Sequence, residues 1–287
     1  MLKKDIPQGI ILFKGKSKID GQLIVVIATG IAKKSGNDKT GDMIQACIMR
    51  PDIPPLLAIE KGYDYSVCGD CKHKHFGSCY VNCAQAPTSI FKAYHRDGYV
   101  KFDKEKHLRF FKDRNIRLGS YGDPAMVDIE VWDTICSATS GFTGYTHQFN
   151  SRFIDNGLKN YCAASCDNIS EYHKAKSLGW KTFRIRLDDD EPLLDTEFKC
   201  PASKESGELT TCTKCRACSG LSASTSKDPC IVIHGLEHKI KKFIIGIKKI
   251  ANKKKYRKEF DYPRKKKNVK KSSIKVKKIV SKVEELV

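Results

Sequence analysis

The chain has no apolar run long enough to cross a bilayer. The longest, Leu23 to Ala32, is about ten residues and includes Thr29 and Gly30, against the roughly twenty that a spanning helix needs. Its opening, Met1-Leu-Lys-Lys-Asp-Ile-Pro7, carries no apolar stretch of the secretory type, which predicts a cytoplasmic location and reduced thiols. There is also no nucleophile elbow, no dinucleotide fingerprint and no recognisable spacing of paired catalytic carboxylates. One loop, Ser35-Gly-Asn-Asp-Lys-Thr-Gly41, has the composition of a phosphate cradle. A P-loop needs glycine directly before its lysine and a helix after it, whereas Asp38 precedes Lys39 and Met43 to Met49 reads as a strand. The expectation there is a hairpin turn.

Excess basic charge is scarce over most of the chain. The formal net charge is +20, but residues 239–287 hold 20 Lys/Arg against 4 Asp/Glu, which leaves about +4 for everything before them. The excess is a property of the tail. Its runs, Lys253-Lys-Lys-Tyr-Arg-Lys258, Arg264-Lys-Lys-Lys267 and Lys270-Lys271, have few apolar residues between them and are suited to contacting phosphate backbones without reading sequence. Nucleic acid is therefore the expected partner; a purely solubilising tail is the alternative. Just upstream, Ile240, Phe243, Ile244, Ile247, Ile250 and Ala251 recur at helical spacing, predicting a basic amphipathic helix lying on the domain or on a membrane surface. The expected organisation is a β-rich segment over 1–60, a cysteine-rich β/α core over 61–237 and a basic helical or disordered tail over 238–287.

What is abundant is cysteine. Eight of the thirteen fall into two sets, Cys68, Cys71, Cys79 and Cys83, then Cys200, Cys212, Cys215 and Cys218. Cysteines separated by two residues sit on tight turns with both sulfurs on one side, the arrangement that grips zinc or an iron–sulfur cluster. A disulfide framework suits a short secreted chain, not 287 residues with an odd cysteine count. The other five, Cys47, Cys136, Cys162, Cys166 and Cys230, lie mostly in apolar stretches and are expected to be buried small hydrophobes.

The middle of the chain alternates short apolar segments with helix-length gaps: Ile116 to Ser120, Gly141 to Tyr145, Asn160 to Ala164, Thr182 to Arg186 and, later, Cys230 to His234. This is the rhythm of β-α repeats and predicts an α/β fold with a β/α barrel-like core, closed, partial or open. Asp123-Pro124 predicts the start of a helix over Ala125 to Ala138, and Asp167 or Asn168 caps a second over Ile169 to Leu178. Parallel α/β folds place their chemistry at the carboxyl ends of strands, which brings forward Asp123, His147, Gln148, Asp167 and His234. Asp123 and Asp167 could equally be helix caps, and His147 a core histidine. Arg184 and Arg186 share one strand face and could grip a carboxylate or phosphate, or form salt bridges.

At Cys68-Gly-Asp-Cys71, Cys79-Tyr-Val-Asn82, Gly119-Ser-Tyr-Gly-Asp-Pro124, Gly144-Tyr-Thr-His-Gln148 and Cys200-Pro-Ala-Ser203, over about residues 35 to 236, the chain resembles a family of uncharacterised bacteriophage proteins. The order of an early cysteine cluster, β/α units and a late cysteine cluster also resembles radical S-adenosylmethionine enzymes. That resemblance implies a [4Fe–4S] cluster on Cys68, Cys71 and Cys79, with Tyr80 as the aromatic beside the last ligand and S-adenosylmethionine bound at an open iron. Cys200, Cys212, Cys215 and Cys218 would then hold a second cluster or zinc. The gaps of two, seven and three residues depart from the usual three and two. The expectation is an iron–sulfur enzyme acting on nucleic acid or nucleotides, with Asp123, His147 and Asp167 catalytic and Tyr80, Gln148, Arg184, Arg186 and His234 lining the cofactor site. The alternative is a non-catalytic zinc protein that binds nucleic acid.

Overall fold

In the computed structural model, residues 6–203, 206–208 and 210–251 are described; the basic runs predicted beyond 251 lie outside them. Three β-branched-rich segments, β1 (Gly9–Lys16), β2 (Leu23–Thr29) and β3 (Ile44–Met49), form an antiparallel meander. The loop between β2 and β3 is the expected turn, with the Gly41 N–H donating to the Asn37 carbonyl at 2.7 Å. After the short helices α1 (Pro55–Lys61), α2 (Tyr65–Cys68), α3 (Lys72–Phe76) and α4 (Ala86–Tyr94), the chain adds the edge strand β4 (Val100–Lys101) beside β1 and the turn α5 (Lys104–His107).

The predicted β-α rhythm follows. It comprises β5 (Asn115–Tyr121), α6 (Ile129–Cys136), β6 (Gly141–Thr146), β7 (Ala163–Cys166), α7 (Ile169–Ser177), β8 (Thr182–Arg186), β9 (Glu197–Lys199), α8 (Cys212–Cys215), β10 (Asp228–Val232) and α9 (Glu237–Ala251). The four sequence-read repeats are neighbours, with β5, β6, β7 and β8 successively parallel and β10 parallel to β8. The fold is α/β around one mixed ten-stranded sheet of order β4-β1-β2-β3-β5-β6-β7-β8-β10-β9. No pairing joins its edge strands β4 and β9 among the described residues, so closure into a barrel is not seen. The amino-terminal strands extend this same sheet, because β3 pairs with β5 through Ile44↔Ile116 and Gln45↔Arg117.

The helix expected over Ala125 to Ala138 is divided. Asp123 caps only a 3-10 turn, Pro124–Met126, and Asp128 precedes α6. The break lets the buried Trp132 indole donate to the Pro124 carbonyl at 3.0 Å. A fully buried indole without such a partner would be costly. Of the alternatives for α7, Asn168 is the cap, accepting from the Glu171 N–H at 2.9 Å. Asp167 is thereby freed for other contacts.

The predicted amphipathic helix is α9, and its stripe faces the domain. Phe243 is buried, Ile240, Ile244 and Ile247 are half-buried, and a Cβ on Gly246 would meet the Phe76 ring at 2.4 Å, so α9 lies close against α3. No helix among the described residues is long and apolar enough to cross a membrane.

Candidate functional site

The carboxyl ends of β5, β6 and β7 carry Asp123, His147 and Asp167, and the structure brings the three together. Asp123 Oδ1 accepts the Ala125 N–H at 3.0 Å and Oδ2 accepts the His147 N–H at 2.9 Å. Asp123 thus ties the end of β5 to the end of β6 and fixes the backbone from which the His147 imidazole projects. Burial pushes its carboxyl above the usual range, only partly offset by these N–H donors and the Thr146 hydroxyl.

Asp167, whose side chain is fully buried, faces a residue that sequence reading passed over. His73 Nε2 lies 3.0 Å from Asp167 Oδ1, His147 Nε2 lies 3.9 Å from the same oxygen, and Lys72 Nζ lies 2.8 Å from Oδ2. Lys72 is also paired with Glu171, whose other oxygen accepts the Asp167 N–H at 2.9 Å. Burial alone would raise the Asp167 carboxyl, but the His73 hydrogen bond and the charges of His73, His147 and Lys72 hold it well below the ordinary carboxylate range. The His73 ring stacks on Phe243 of α9 at 5.2 Å and meets His147 edge-on at 5.0 Å. The signal for His73 was its place in Lys72-His-Lys-His75, inside the first cysteine set; nothing in its spacing marked it as a strand-end neighbour.

The first cysteine set is laid across this same rim. Gln148, 1 % exposed, donates from Nε2 to the Cys68 carbonyl at 3.1 Å, and the Asp123 N–H donates to the Val67 carbonyl at 2.7 Å. Gly69, at φ +55°, lets the loop pass so closely that a Cβ there would meet Gln148 Cδ and Met126 Cε at 2.7 Å. Burial raises the Cys68, Cys71 and Cys79 thiols; Cys71 raises both others, while His73 favours the Cys71 thiolate and Lys239 that of Cys79. Lys239 also donates to the Cys79 carbonyl at 2.6 Å, so α9 closes over the loop. Cys83 is buried in the apolar core; burial, and then the neighbouring Cys79, push its thiol up to about 12, and it acts in turn on Cys47 of β3.

The second set meets the side of β6 rather than its carboxyl end. Cys200, Cys212, Cys215 and Cys218 line one small concavity with Thr143 and Tyr145. The segment is anchored by the Gly144 N–H donating to the Cys218 carbonyl at 3.2 Å, Ser219 Oγ donating to the Phe142 carbonyl at 2.5 Å, and the Cys212 N–H donating to the Lys39 carbonyl at 2.9 Å. Burial raises the Cys200, Cys212 and Cys218 thiols, so these are neutral unless a cation draws off their protons.

The remaining residues singled out in the sequence are not gathered with these. Arg184 is fully buried and grips Glu197 with two bonds of 2.7 Å, with Glu191 and the Pro192 carbonyl as further acceptors. Arg186 donates to the carbonyls of Asp189 and Glu191 and to Asp189 Oδ1. Both arginines pair with acidic residues of the chain, the salt-bridge alternative of the sequence reading, though inside the fold and not on an outer face; Arg186 keeps a buried Nε without a hydrogen-bond partner. Tyr80 is 63 % exposed and meets His234 edge-on at 5.5 Å, a separate pair beside the first cysteine loop. No protein-family model, curated protein or solved structure matches this chain, so its chemistry is argued from its own geometry.

Proposed function

We propose that this chain is an iron–sulfur enzyme of the radical S-adenosylmethionine type acting on nucleic acid or a nucleotide, with Cys68, Cys71 and Cys79 holding a [4Fe–4S] cluster and Cys200, Cys212, Cys215 and Cys218 holding a second cluster. The single observation that carries this reading is the docking of the first cysteine loop, through Gln148 and Asp123, onto the rim where His147 and Asp167 converge. A purely structural metal loop has no need of that placement, whereas an enzyme of a parallel α/β fold has its chemistry there.

The donor sets fit the group. All-cysteine sites take either zinc or iron–sulfur clusters. In this reading Cys68, Cys71 and Cys79 are the protein ligands, one iron stays open, and Cys83 stays in the apolar core. Such a cluster supplies an electron to the sulfonium of S-adenosylmethionine and an iron that grips the cofactor's amino and carboxylate groups. Lys239 and Lys72 offset negative charge around the loop, Asp123 positions His147, and Phe243 of α9 stacks on His73. The nucleic-acid assignment rests on the 20 Lys/Arg against 4 Asp/Glu from residue 239 onward.

The test is reductive cleavage of S-adenosylmethionine by the anaerobic, dithionite-reduced full-length protein. Release of methionine and 5′-deoxyadenosine, abolished by Cys71→Ser, is the expected result. No cleavage by colourless, zinc-loaded protein that still binds nucleic acid would establish the non-catalytic alternative.

A further inference from the structure

Among the described residues, one group of three metal-ligating side chains has its ligand atoms all within 4.8 Å: His73, His147 and Asp167. It contains no cysteine. Two imidazoles and one carboxylate are the donor set of mononuclear iron and zinc sites that keep coordination positions open. We infer that His73 Nε2, His147 Nε2 and Asp167 Oδ1 bind a divalent transition-metal ion, separate from either cysteine set.

Four features of the geometry carry this beyond proximity. First, the ligand atoms converge: His73 Nε2 is 3.0 Å and His147 Nε2 is 3.9 Å from the same Asp167 Oδ1, and all three lie within 4.8 Å of one another. Second, His147 Nε2 is buried and makes no hydrogen bond, although it points to within 3.9 Å of that carboxylate. A buried ring nitrogen without a partner is costly, and a metal at this point would satisfy it. Third, His73 has an outer partner. Its Nδ1 lies 3.1 Å from Ser78 Oγ, whose own proton has the His73 carbonyl as acceptor at 3.5 Å. Such second partners fix the tautomer of metal-bound histidines. Fourth, Lys72 occupies Asp167 Oδ2 at 2.8 Å, which leaves Oδ1 to face both imidazoles as a single-oxygen ligand. The His147 and His73 side chains are 23 % and 12 % exposed, so the open positions face solvent from the histidine side.

The inference goes beyond the proposed cysteine-bound clusters and can be tested independently of them. Full-length protein, purified with its iron–sulfur content intact, is dialysed against Co²⁺ after removal of loosely held metal. Expected is one bound cobalt per chain, counted by metal analysis after dialysis, with the iron and sulfide content unchanged. In Asp167→Asn and His147→Gln that equivalent should fall at least tenfold in affinity, while Cys215→Ser retains it. Circular dichroism identifies folded variants, and His73→Gln serves if Asp167→Asn does not fold. Folded wild type binding no such equivalent, or folded Asp167→Asn and His147→Gln binding it unchanged, would overturn the inference. Sulfide content, measured in parallel, reports the cysteine centres alone, so failure of one reading is distinguishable from failure of the other.

Discussion

Gln148 Nε2 donates to the carbonyl of Cys68 at 3.1 Å, a bond that spans eighty residues of sequence and holds the first cysteine loop to the end of β6. The same side chain accepts from Ser151 Oγ at 3.1 Å and is 1 % exposed, so every polar atom of its amide is committed. Gln148 therefore positions the loop.

Gln148→Ala leaves the Cys68 carbonyl without its partner in a buried place, at a cost of about 1–3 kcal/mol. The expected outcome is a lower denaturation midpoint together with a loss of sulfide-bound iron, because the loop loses its register. Denaturant melts and metal analysis of the same preparation check this; full iron content in a destabilised variant would mean that Gln148 only packs.

Arg184 and Glu197 provide a structural contrast, since both side chains are fully buried. Arg184→Met alone leaves a buried carboxylate uncompensated and should cost about 3–5 kcal/mol, whereas Arg184→Met with Glu197→Leu should recover most of it. Urea denaturation of the two variants decides. If the single variant keeps its stability but loses cofactor binding, Arg184 reaches outward after all.

Much of this architecture was legible in the sequence. The spacing of Ile116, Gly141, Asn160 and Thr182 marked successive parallel strands because each β-α unit buries one short apolar segment and then returns over the sheet. Polar residues closing those segments marked Asp123, His147 and Asp167. His73 was not legible, because its role comes from a loop docking onto strands about seventy to ninety residues away. For Arg184 and Arg186, alternation places two side chains on one face but does not say that Glu197 and Asp189 will meet them there. The helix predicted to Ala138 failed at Val127, where the chain turns extended so that Trp132 can reach the Pro124 carbonyl.

Asp64 gives a pH dependence. Its carboxylate is 1 % exposed, and burial raises it above the ordinary aspartate value despite Lys74 at 3.6 Å. A folded-state value above the unfolded one favours the folded protein at low pH and penalises it once the group ionises. Asp64→Asn should thus gain stability relative to wild type as pH rises above about 4. Chemical denaturation of both proteins at about pH 3 and about pH 7 gives the comparison; parallel curves would show that Lys74 compensates the charge.

Removal of residues 252–287 takes away 15 Lys/Arg and 4 Asp/Glu while leaving α9, which covers the first cysteine loop. Nucleic-acid affinity should fall and its dependence on salt should flatten, since fewer phosphates are neutralised. Metal content should be unchanged. Undiminished binding by the shortened chain would place the nucleic-acid surface elsewhere.

The central claim is tested most directly by the iron, acid-labile sulfide and zinc content of anaerobically purified full-length protein, read with its visible spectrum before and after S-adenosylmethionine. Two cubane clusters predict brown protein with about eight irons and about eight sulfides and a spectrum that changes on adding the cofactor. Colourless protein carrying stoichiometric zinc and no sulfide would contradict it.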